Sequence, residues 1–239
     1  MTEAVLSAST VFAPVRSQTA FEETVERLGT AIKLGLLPPG ARLPAERELC
    51  SRLGIARSTL RQALTALGQS GHVHATRGRG GGTFVADPLP PAEPPSEQVL
   101  ARWRDTCDER LAVELGVAVL AAERADAPAL QRLDELVATL DDSLEDFATY
   151  RQADIRLHVG LAQATGSPPL VHAMTGVQGA MTDLIAYIAH PPEVLASSNE
   201  QHRRILAAVR EGDAPRASRS MTEHLQGTER VLAGLLPGG

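Results

Sequence analysis

The first third of the chain combines helical spacing with a glycine-rich turn. Apolar residues recur every three or four positions in three segments, and a hairpin pattern follows them. The predicted elements are helices at about 18–36, 45–53 and 57–69, and a β-hairpin around the glycines between Val73 and Val85. Pro38-Pro39-Gly40 ends the first helix, and Gly54 lies in a tight turn between the other two. Two short helices, a tight turn and a hairpin predict a winged helix-turn-helix.

The rest of the chain is helical in its pattern. Residues 87–95 contain five prolines and predict a semi-rigid linker. The predicted helices beyond it cover about 97–125, 128–143, 146–165, 169–190, 193–211 and 214–235. Long helices with short connections indicate an antiparallel bundle, with six helices or, if the first is broken, seven. The predicted fold class is therefore mainly α, a winged helix-turn-helix followed by this bundle.

Composition supports two soluble domains. Aromatic residues make up only 3% of the chain, so Leu, Ala and Val must build the interior, which suits helices. The expected organisation is a flexible arm at 1–17, a winged helix-turn-helix at 18–86, a proline-rich linker at 87–96 and an all-helical domain at 97–235. No apolar run approaches the ~20 residues of a membrane span. The start lacks a signal-peptide pattern, and the two cysteines form no CxxC pair. A cytoplasmic protein with no membrane partner is expected.

Charge is unevenly distributed along the chain. Between Arg42 and Gly82 there are seven arginines and two acidic residues, a balance of +5, whereas from Pro91 onward 13 basic and 22 acidic residues give −9. Because Lys33 is the only lysine, the clustering of arginine is informative and its amount is not. A basic head joined to an acidic domain is typical of a DNA-binding module with a second domain of different function.

The second helix of the predicted helix-turn-helix carries the candidate base contacts. When its apolar residues face inward, Arg57, Ser58, Thr59 and Arg61 occupy the exposed start of the helix. This end enters the major groove, where arginine can bind guanine and a small hydroxyl can reach phosphate or base. A solvated basic face is the alternative for any single arginine. Seven arginines on this pattern favour double-stranded DNA as the partner.

Further DNA contacts are expected on either side of that helix. Arg47 lies in the preceding helix, where a phosphate contact is natural. Arg77 and Arg79 lie at the tip of the wing. Gly80, with the other glycines there, would let the backbone approach a phosphate or the minor groove.

These segments resemble a known family. LPPGARLPAEREL at 37–49 and LGIARSTLRQAL at 53–64 closely resemble the head of GntR-family regulators. The resemblance implies that Arg47, Arg57 and Arg61 are the principal DNA contacts and that the wing assists. Ala56 departs from the family, which usually has a serine there that caps the recognition helix; the missing cap costs ~1 kcal/mol. The wing is also longer and richer in glycine than is usual.

Four metal-competent side chains lie on apolar helix faces in the second domain. Asp154 and His158 are four residues apart on one helix, and His202 and His224 lie on the apolar stripes of the last two helices. The last two histidines are each eleven residues from Asp213, hence level with each other, about 16 Å from the turn. Asp154 and His158 alone would fit a surface pair. The four together favour a divalent metal site, because buried polar groups need partners.

The same region resembles the FCD-type effector domain of the FadR branch of the family. RLAVELGVAVLAA at 110–122, DIRLH at 154–158 and EQH at 200–202 carry the resemblance, which covers about 97–235. It implies that Asp154, His158, His202 and His224 bind a divalent metal, commonly zinc, with nickel or manganese as further candidates. Arg110 and Glu114 match the first helix of that domain. They either line the effector pocket or form an ion pair on a helix face.

The sequence thus predicts a transcription regulator, not an enzyme, whose metal-containing helical domain senses a small carboxylate. It is expected to act as a homodimer on a DNA operator. Repression is the expected mode, although activation fits the same patterns. One alternative is a metal-dependent enzyme that acts on a small organic acid and carries an accessory winged helix, but no evident base or nucleophile accompanies the metal set. A winged helix used for protein contacts is a second alternative, which the arginine-rich recognition helix disfavours.

Overall fold

The computed structural model describes residues 20–78, 80–90, 101–185 and 192–235. The first part of the chain forms helices α1 (Ala20–Lys33), α2 (Glu46–Leu53) and α3 (Arg57–Gln69) and strands β1 (Val73–Thr76) and β2 (Gly82–Val85). The second forms α4 (Trp103–Arg124), α5 (Ala127–Asp142), α6 (Phe147–Ala164), α7 (Pro168–Ile185), α8 (Pro192–Arg210) and α9 (Ala214–Leu235). The mainly helical fold class is confirmed. Where both a predicted helix end and its observed counterpart lie in the described residues, the two are within a few residues of each other, because prolines and glycines mark most of these ends.

The chain divides into two compact units, called here the head and the bundle. Among the described residues, the head comprises those up to Gly29 together with Gly40–Leu89, and the bundle comprises Thr30–Pro39 together with those from Pro90 onward. The end of α1 belongs to the bundle because Leu34, which follows it, is buried in the bundle core. The expected arm at 1–17 and most of the expected linker lie outside the described residues.

The head is built around α2 and α3. Leu49, Leu60, Ala63 and Leu67 are buried and fix which faces of the two helices turn outward. Gly54 ends α2 with a φ of 66°, a left-handed conformation that glycine adopts without steric cost. The wing is an antiparallel pair of strands, β1 and β2. Val73 lies opposite Val85 at one end of the pair, and Thr76 lies opposite Gly82 at the other.

In the bundle, α4 lies at the centre and packs against α6, α7, α8 and α9. Its residues Val117, Ala118 and Ala121 are fully buried, and the small alanine side chains permit close approach of the neighbouring helices. Helices α5 and α6 also approach closely, since a Cβ on Gly160 would lie 2.9 Å from a methyl group of Leu133. A polar group buried on a helix surrounded in this way can contact several neighbouring helices.

Two predicted helix ends lie outside the described residues. Helix α4 begins at Trp103, so the start of the helix predicted from residue 97 lies outside the described residues, as does the end of the helix predicted to reach residue 190. Two helix starts have the capping that their sequences favour: the carboxylates of Asp126 and Asp146 accept backbone N–H bonds at the starts of α5 and α6. Among the helices of the described segments, none has the length and apolarity to cross a bilayer.

Candidate functional sites

The exposed start of α3 carries the predicted base contacts. Arg57, Ser58 and Arg61 are exposed and Thr59 is half-buried, while the next turns of α3 pack into the head through buried residues. Ala56 precedes α3 with extended backbone and no side-chain hydrogen bond to the helix, as its departure from the family pattern predicts. The first turn of α3 therefore has no side-chain cap from Ala56, and it presents the guanidinium groups of Arg57 and Arg61 on one outer surface.

Both arginines are bonded to one carboxylate. Glu46, the first residue of α2, accepts from Arg57 Nε at 2.9 Å and from Arg61 Nε at 3.1 Å. The hydrogen bond from Arg57, with a further contribution from Arg61, holds the pKa of Glu46 below its usual value. Sequence reasoning counted Glu46 only as a negative charge, because nothing in the spacing showed that it would meet α3.

The wing and α2 carry the other predicted DNA contacts. Arg47 on α2 and Arg77 after β1 are exposed, and Gly80 in the wing turn is exposed with a φ of 87°. Arg79 lies outside the described residues. Arg42 donates to the carbonyl of Gly81 at 2.6 Å, which ties the turn of the wing to the strand-like segment before α2.

Three histidines meet in the centre of the bundle. The ring centroids of His158 and His202 are 5.4 Å apart, those of His158 and His224 are 5.3 Å apart, and those of His202 and His224 are 4.5 Å apart. Each offers one ring nitrogen within 4.8 Å of the others, and all three side chains are buried. The structure thus brings together α6, α8 and α9 at one point, and three imidazoles at this spacing can hold a divalent metal ion.

Several ring nitrogens of the three-histidine cluster are not satisfied by the protein. Nε2 of His158 and both ring nitrogens of His202 are buried without a hydrogen-bond partner among the described residues. In His224, Nδ1 donates to Gln201 Oε1 at 3.1 Å, so Nε2 carries the lone pair, which faces Arg110 NH2 at 3.4 Å. A buried nitrogen atom without a partner costs free energy, and one metal ion can bind a ring nitrogen from each of the three histidines. The residues present therefore fit a metal.

Burial keeps two of these histidines neutral. It lowers the pKa of His202 to about 4 and that of His224 well below its usual value. A neutral imidazole offers a lone pair to a cation at neutral pH, whereas a protonated one would repel it.

Glu114 on α4 is a buried carboxylate with three donors. It accepts from His158 Nδ1 at 2.5 Å, from Arg110 Nε at 2.7 Å and from Gln178 Nε2 at 2.9 Å. Burial alone would raise the pKa of Glu114, but His158 and Arg110 outweigh it and hold the pKa at about 2. The bond to His158 orients the ring so that Nε2 points to the cluster, an arrangement typical of metal-binding histidines. The sequence named Glu114 as a pocket residue or half of an ion pair but did not predict its bond to His158, and its bonded state makes it a poor base.

Asp154 lies at the edge of the three-histidine cluster. Its Oδ1 is 3.4 Å from His202 Nε2 and 3.8 Å from His158 Nε2, while its Oδ2 accepts from Arg151. Burial would raise the pKa of Asp154, but His158 and Arg151 outweigh it and hold the pKa at about 2. The carboxylate is therefore ionised and available as a fourth ligand, although one of its oxygens already serves Arg151.

A cavity of about 390 Å³ opens beside the three-histidine cluster. Arg110, Asp154 and His224 are among its lining residues, whereas Glu114 is not. The sequence left two roles open for Arg110 and Glu114, as pocket residues or as an ion pair. Arg110 fits both roles, because it lines the cavity and pairs with Glu114. Glu114 fits only the ion pair. The lining also includes apolar side chains, among them Leu195 and Val231. Such a cavity can accept a small molecule with a polar end and an apolar end.

Two buried polar residues of this site were missed by sequence reasoning. Arg151 bonds Asp154, Gln178 Oε1 at 3.2 Å and Thr182 Oγ1 at 3.0 Å, and Gln178 links Arg151 to Glu114. Their position on otherwise apolar faces of α6 and α7 indicates that the two side chains are buried. What the pattern could not show was which partners they meet.

Comparisons with known proteins assign both parts of the chain. A model of the FCD domain matches residues 105–227, and a model of the gntR family of bacterial regulatory proteins matches residues 21–85. RmpR of Mycobacterium gastri, named among the HTH-type transcriptional regulators, is 35% identical over 84% of this chain and 76% of its own length. The HTH-type transcriptional regulator LutR of Bacillus subtilis is 28% identical over 85% of this chain and 96% of its own length.

A solved structure agrees with this assignment in fold. E. coli McbR/YncC superposes with a TM-score of 0.57 at 20% identity and covers 91% of this chain and 98% of its own. Members of the matched family regulate transcription and are not enzymes, so the alternative of a metal-dependent enzyme is wrong. The chain belongs to the GntR family of bacterial transcription regulators, with an N-terminal helix-turn-helix domain that binds DNA and a C-terminal FCD domain.

Proposed function

We propose that this protein is an effector-responsive regulator of the FadR branch in which the bundle senses a small organic acid through a bound divalent metal. The observation that carries the proposal is the three-histidine cluster beside the cavity: the lone pairs of His158 and His202 are buried without partners, and His224 belongs to the cavity wall. A cluster of this kind is stabilised by a ligand that the chain itself does not supply.

The proposed metal ligands are His158, His202 and His224, with Asp154 as the fourth. A borderline ion such as zinc suits three imidazoles and a carboxylate, and nickel or manganese are the further candidates. Bound there, the ion would supply positive charge and a Lewis-acid position for an oxygen of the effector. Glu114 orients His158 and does not contact the effector.

The proposed effector contact of the protein itself is Arg110. Its NH2 group lies 3.4 Å from His224 Nε2, and its side chain lines the cavity. A guanidinium beside the cluster would attract the carboxylate of the effector to the same end of the cavity. The apolar wall would then accommodate the rest of the molecule.

The proposed DNA contacts are those predicted from the sequence. The bases would be contacted from the start of α3, and phosphates from α2 and the wing. The set comprises Arg47, Arg57, Ser58, Thr59, Arg61, Arg77, Arg79 and Gly80. We propose a homodimer on a two-fold operator that acts by repression, since a protein bound over a promoter blocks access without further contacts. The proposed domain limits are 18–86 and 97–235, joined at 87–96.

Metal content tests the cluster. Elemental analysis of the purified protein should find about one divalent ion per chain, and His202→Ala should lose it. His172→Ala is the matched control, because His172 is exposed on α7 and outside the cluster. A folded wild type that holds no metal under metal-replete conditions would show that the cluster is only a polar core.

Effector binding tests the cavity. Calorimetry with a panel of hydroxy and dicarboxylic acids should give a ligand that binds the metal-loaded protein and not the metal-free protein, and Arg110→Met should weaken it. Addition of that acid should change the affinity for operator DNA, because an effector acts only through different affinities for two states. An acid that binds both forms equally would contradict the proposed role of the metal.

A further inference from the structure

Glu46 occupies an unusual place for an acidic residue on a DNA-facing surface. Its carboxylate accepts from Nε of both Arg57 and Arg61, at 2.9 and 3.1 Å, and these two arginines have exposed fractions of 68% and 60%. A carboxylate at this position reduces the attraction of the head for phosphates. Exposed ion pairs of this kind stabilise a fold only weakly, so stability gives no reason for its presence.

The atoms used in these bonds are informative. Glu46 binds both guanidinium groups on the Nε side, and these bonds do not involve their terminal amino groups. The terminal amino groups of arginine are donors that can bind O6 and N7 of guanine. One carboxylate between two cations also removes the repulsion that would otherwise drive Arg57 and Arg61 apart.

Glu46 is itself held in place by the head. It is the first residue of α2, where a negative charge is favoured by the helix dipole. The next turn of α2 is anchored by Leu49, which is buried, and by the bond from Leu49 N to Ala45 O at 3.0 Å. The carboxylate is thus carried on a rigid element, while the two arginine side chains would otherwise have many rotamers.

We propose that Glu46 is a positioning residue that determines base specificity: it fixes Arg57 and Arg61 side by side for two neighbouring guanines and lowers the affinity for DNA of other sequence. Without it, both arginines would be free to turn to the nearest phosphates. The inference rests on the proposed DNA contacts of Arg57 and Arg61. It predicts opposite effects on specific and non-specific DNA, which a merely structural role cannot produce.

The test compares two duplexes of equal composition. One is recovered by the wild-type protein from a random-sequence library, and the other is its scrambled version. In fluorescence anisotropy titrations, Glu46→Gln should weaken binding to the selected duplex and should bind the scrambled one as tightly as the wild type or more tightly, so that the ratio of the two affinities falls at least about tenfold. Glu48→Gln is the matched control, since Glu48 lies on the same helix and pairs with Arg52. It removes the same charge and should leave the ratio unchanged.

A second variant separates position from charge. Glu46→Asp keeps the negative charge and shortens its reach, so it should also lower the ratio. Three results would overturn the inference: a ratio that falls equally in Glu46→Gln and Glu48→Gln, parallel weakening on both duplexes with a lowered melting temperature, or a wild-type ratio in Glu46→Asp. If Arg57→Ala and Arg61→Ala leave binding to the selected duplex intact, the proposed contacts fail as well, and with them the basis of the inference.

Discussion

In the head, Arg57 pairs with Glu46 at the surface, with 68% of the arginine side chain exposed; in the bundle, Arg110 pairs with Glu114 where the two side chains are 4% and 0% exposed. The first pair contributes little to the stability of the fold, because water can hydrogen-bond either partner when the pair is broken. The second pair has no such substitute, and His158, Arg110 and Gln178 all donate to its carboxylate. Similar ion pairs thus have different roles. The pair in the head leaves Arg57 at the surface and available to DNA, whereas the pair in the bundle holds Arg110 and Glu114 in a fixed buried arrangement.

The largest expected effect comes from removing the buried carboxylate. Glu114→Leu should lower the free energy of unfolding by about 3–5 kcal/mol, because it leaves Arg110 as an unpaired buried charge. Glu48→Ala, which breaks an exposed pair with Arg52, should cost less than about 1 kcal/mol. Urea unfolding in the presence of a chelator measures both. Equal losses in the two variants would remove the contrast between the regions.

A smaller effect is expected on DNA binding. Arg57→Ala or Arg61→Ala should cost roughly 1–3 kcal/mol of binding to a selected operator, while the stability of the protein changes little. Arg52→Ala is the control, because Arg52 is exposed on α2 and bonded to Glu48. Gel-shift titration decides the matter. If Arg52→Ala costs as much as Arg57→Ala, the exposed arginines act as a general basic surface and not as base contacts.

Acidification should affect the bundle. The pKa of His202 is about 4 in the folded protein against an ordinary 6.5. Below pH 6.5 this histidine is therefore protonated in the unfolded chain but stays neutral in the folded protein. The free energy of unfolding falls as the pH falls from 6.5 towards 4. For the metal-free protein His202 alone should account for a loss of about 2 kcal/mol between pH 7 and pH 5, and His224 should add to it because its pKa is lowered as well. Thermal unfolding at both pH values checks this, and His202→Asn should show a smaller loss. An unchanged melting temperature in the wild type would show that the histidine is not buried in neutral form.

The smallest expected effect is a gain in the head. Ala56→Ser should stabilise the start of α3 by about 1 kcal/mol, since Ala56 has the backbone conformation of a cap but no side-chain acceptor. Ala56→Val is the control and should give no gain. Differential scanning calorimetry can resolve the difference. A serine without effect would mean that the N–H groups of α3 are already satisfied by water.

Much of the fold followed from local patterns. The helix limits were predictable because Gly54, Gly212 and the paired prolines interrupt otherwise regular apolar spacing. That His158, His202 and His224 face the interior of the bundle was also predictable, since each lies on the apolar stripe of its helix. Such a stripe shows which way a side chain points but not what it meets.

What the patterns could not show were the partners supplied by other elements. Glu114 was weighed as a pocket residue or a helix-face pair, and its bond to His158 depends on how α4 packs against α6. Gln178 and Arg151 form a link between two carboxylates that are far apart in sequence. Leu34 belongs to the bundle core although it follows the helix that begins the head. Each of these depends on long-range packing, which local spacing does not determine.

The bond from Arg42 to the carbonyl of Gly81 has a consequence for the ions around the nucleic acid. Cations condensed on a duplex return to bulk solvent when a protein neutralises its phosphates, and each neutralised phosphate adds ~0.9 to the slope of log affinity against log salt. Arg42 uses its guanidinium within the wing, 6.0 Å from the Phe84 ring. The slope should therefore report fewer released ions than the seven arginines between Arg42 and Gly82 suggest.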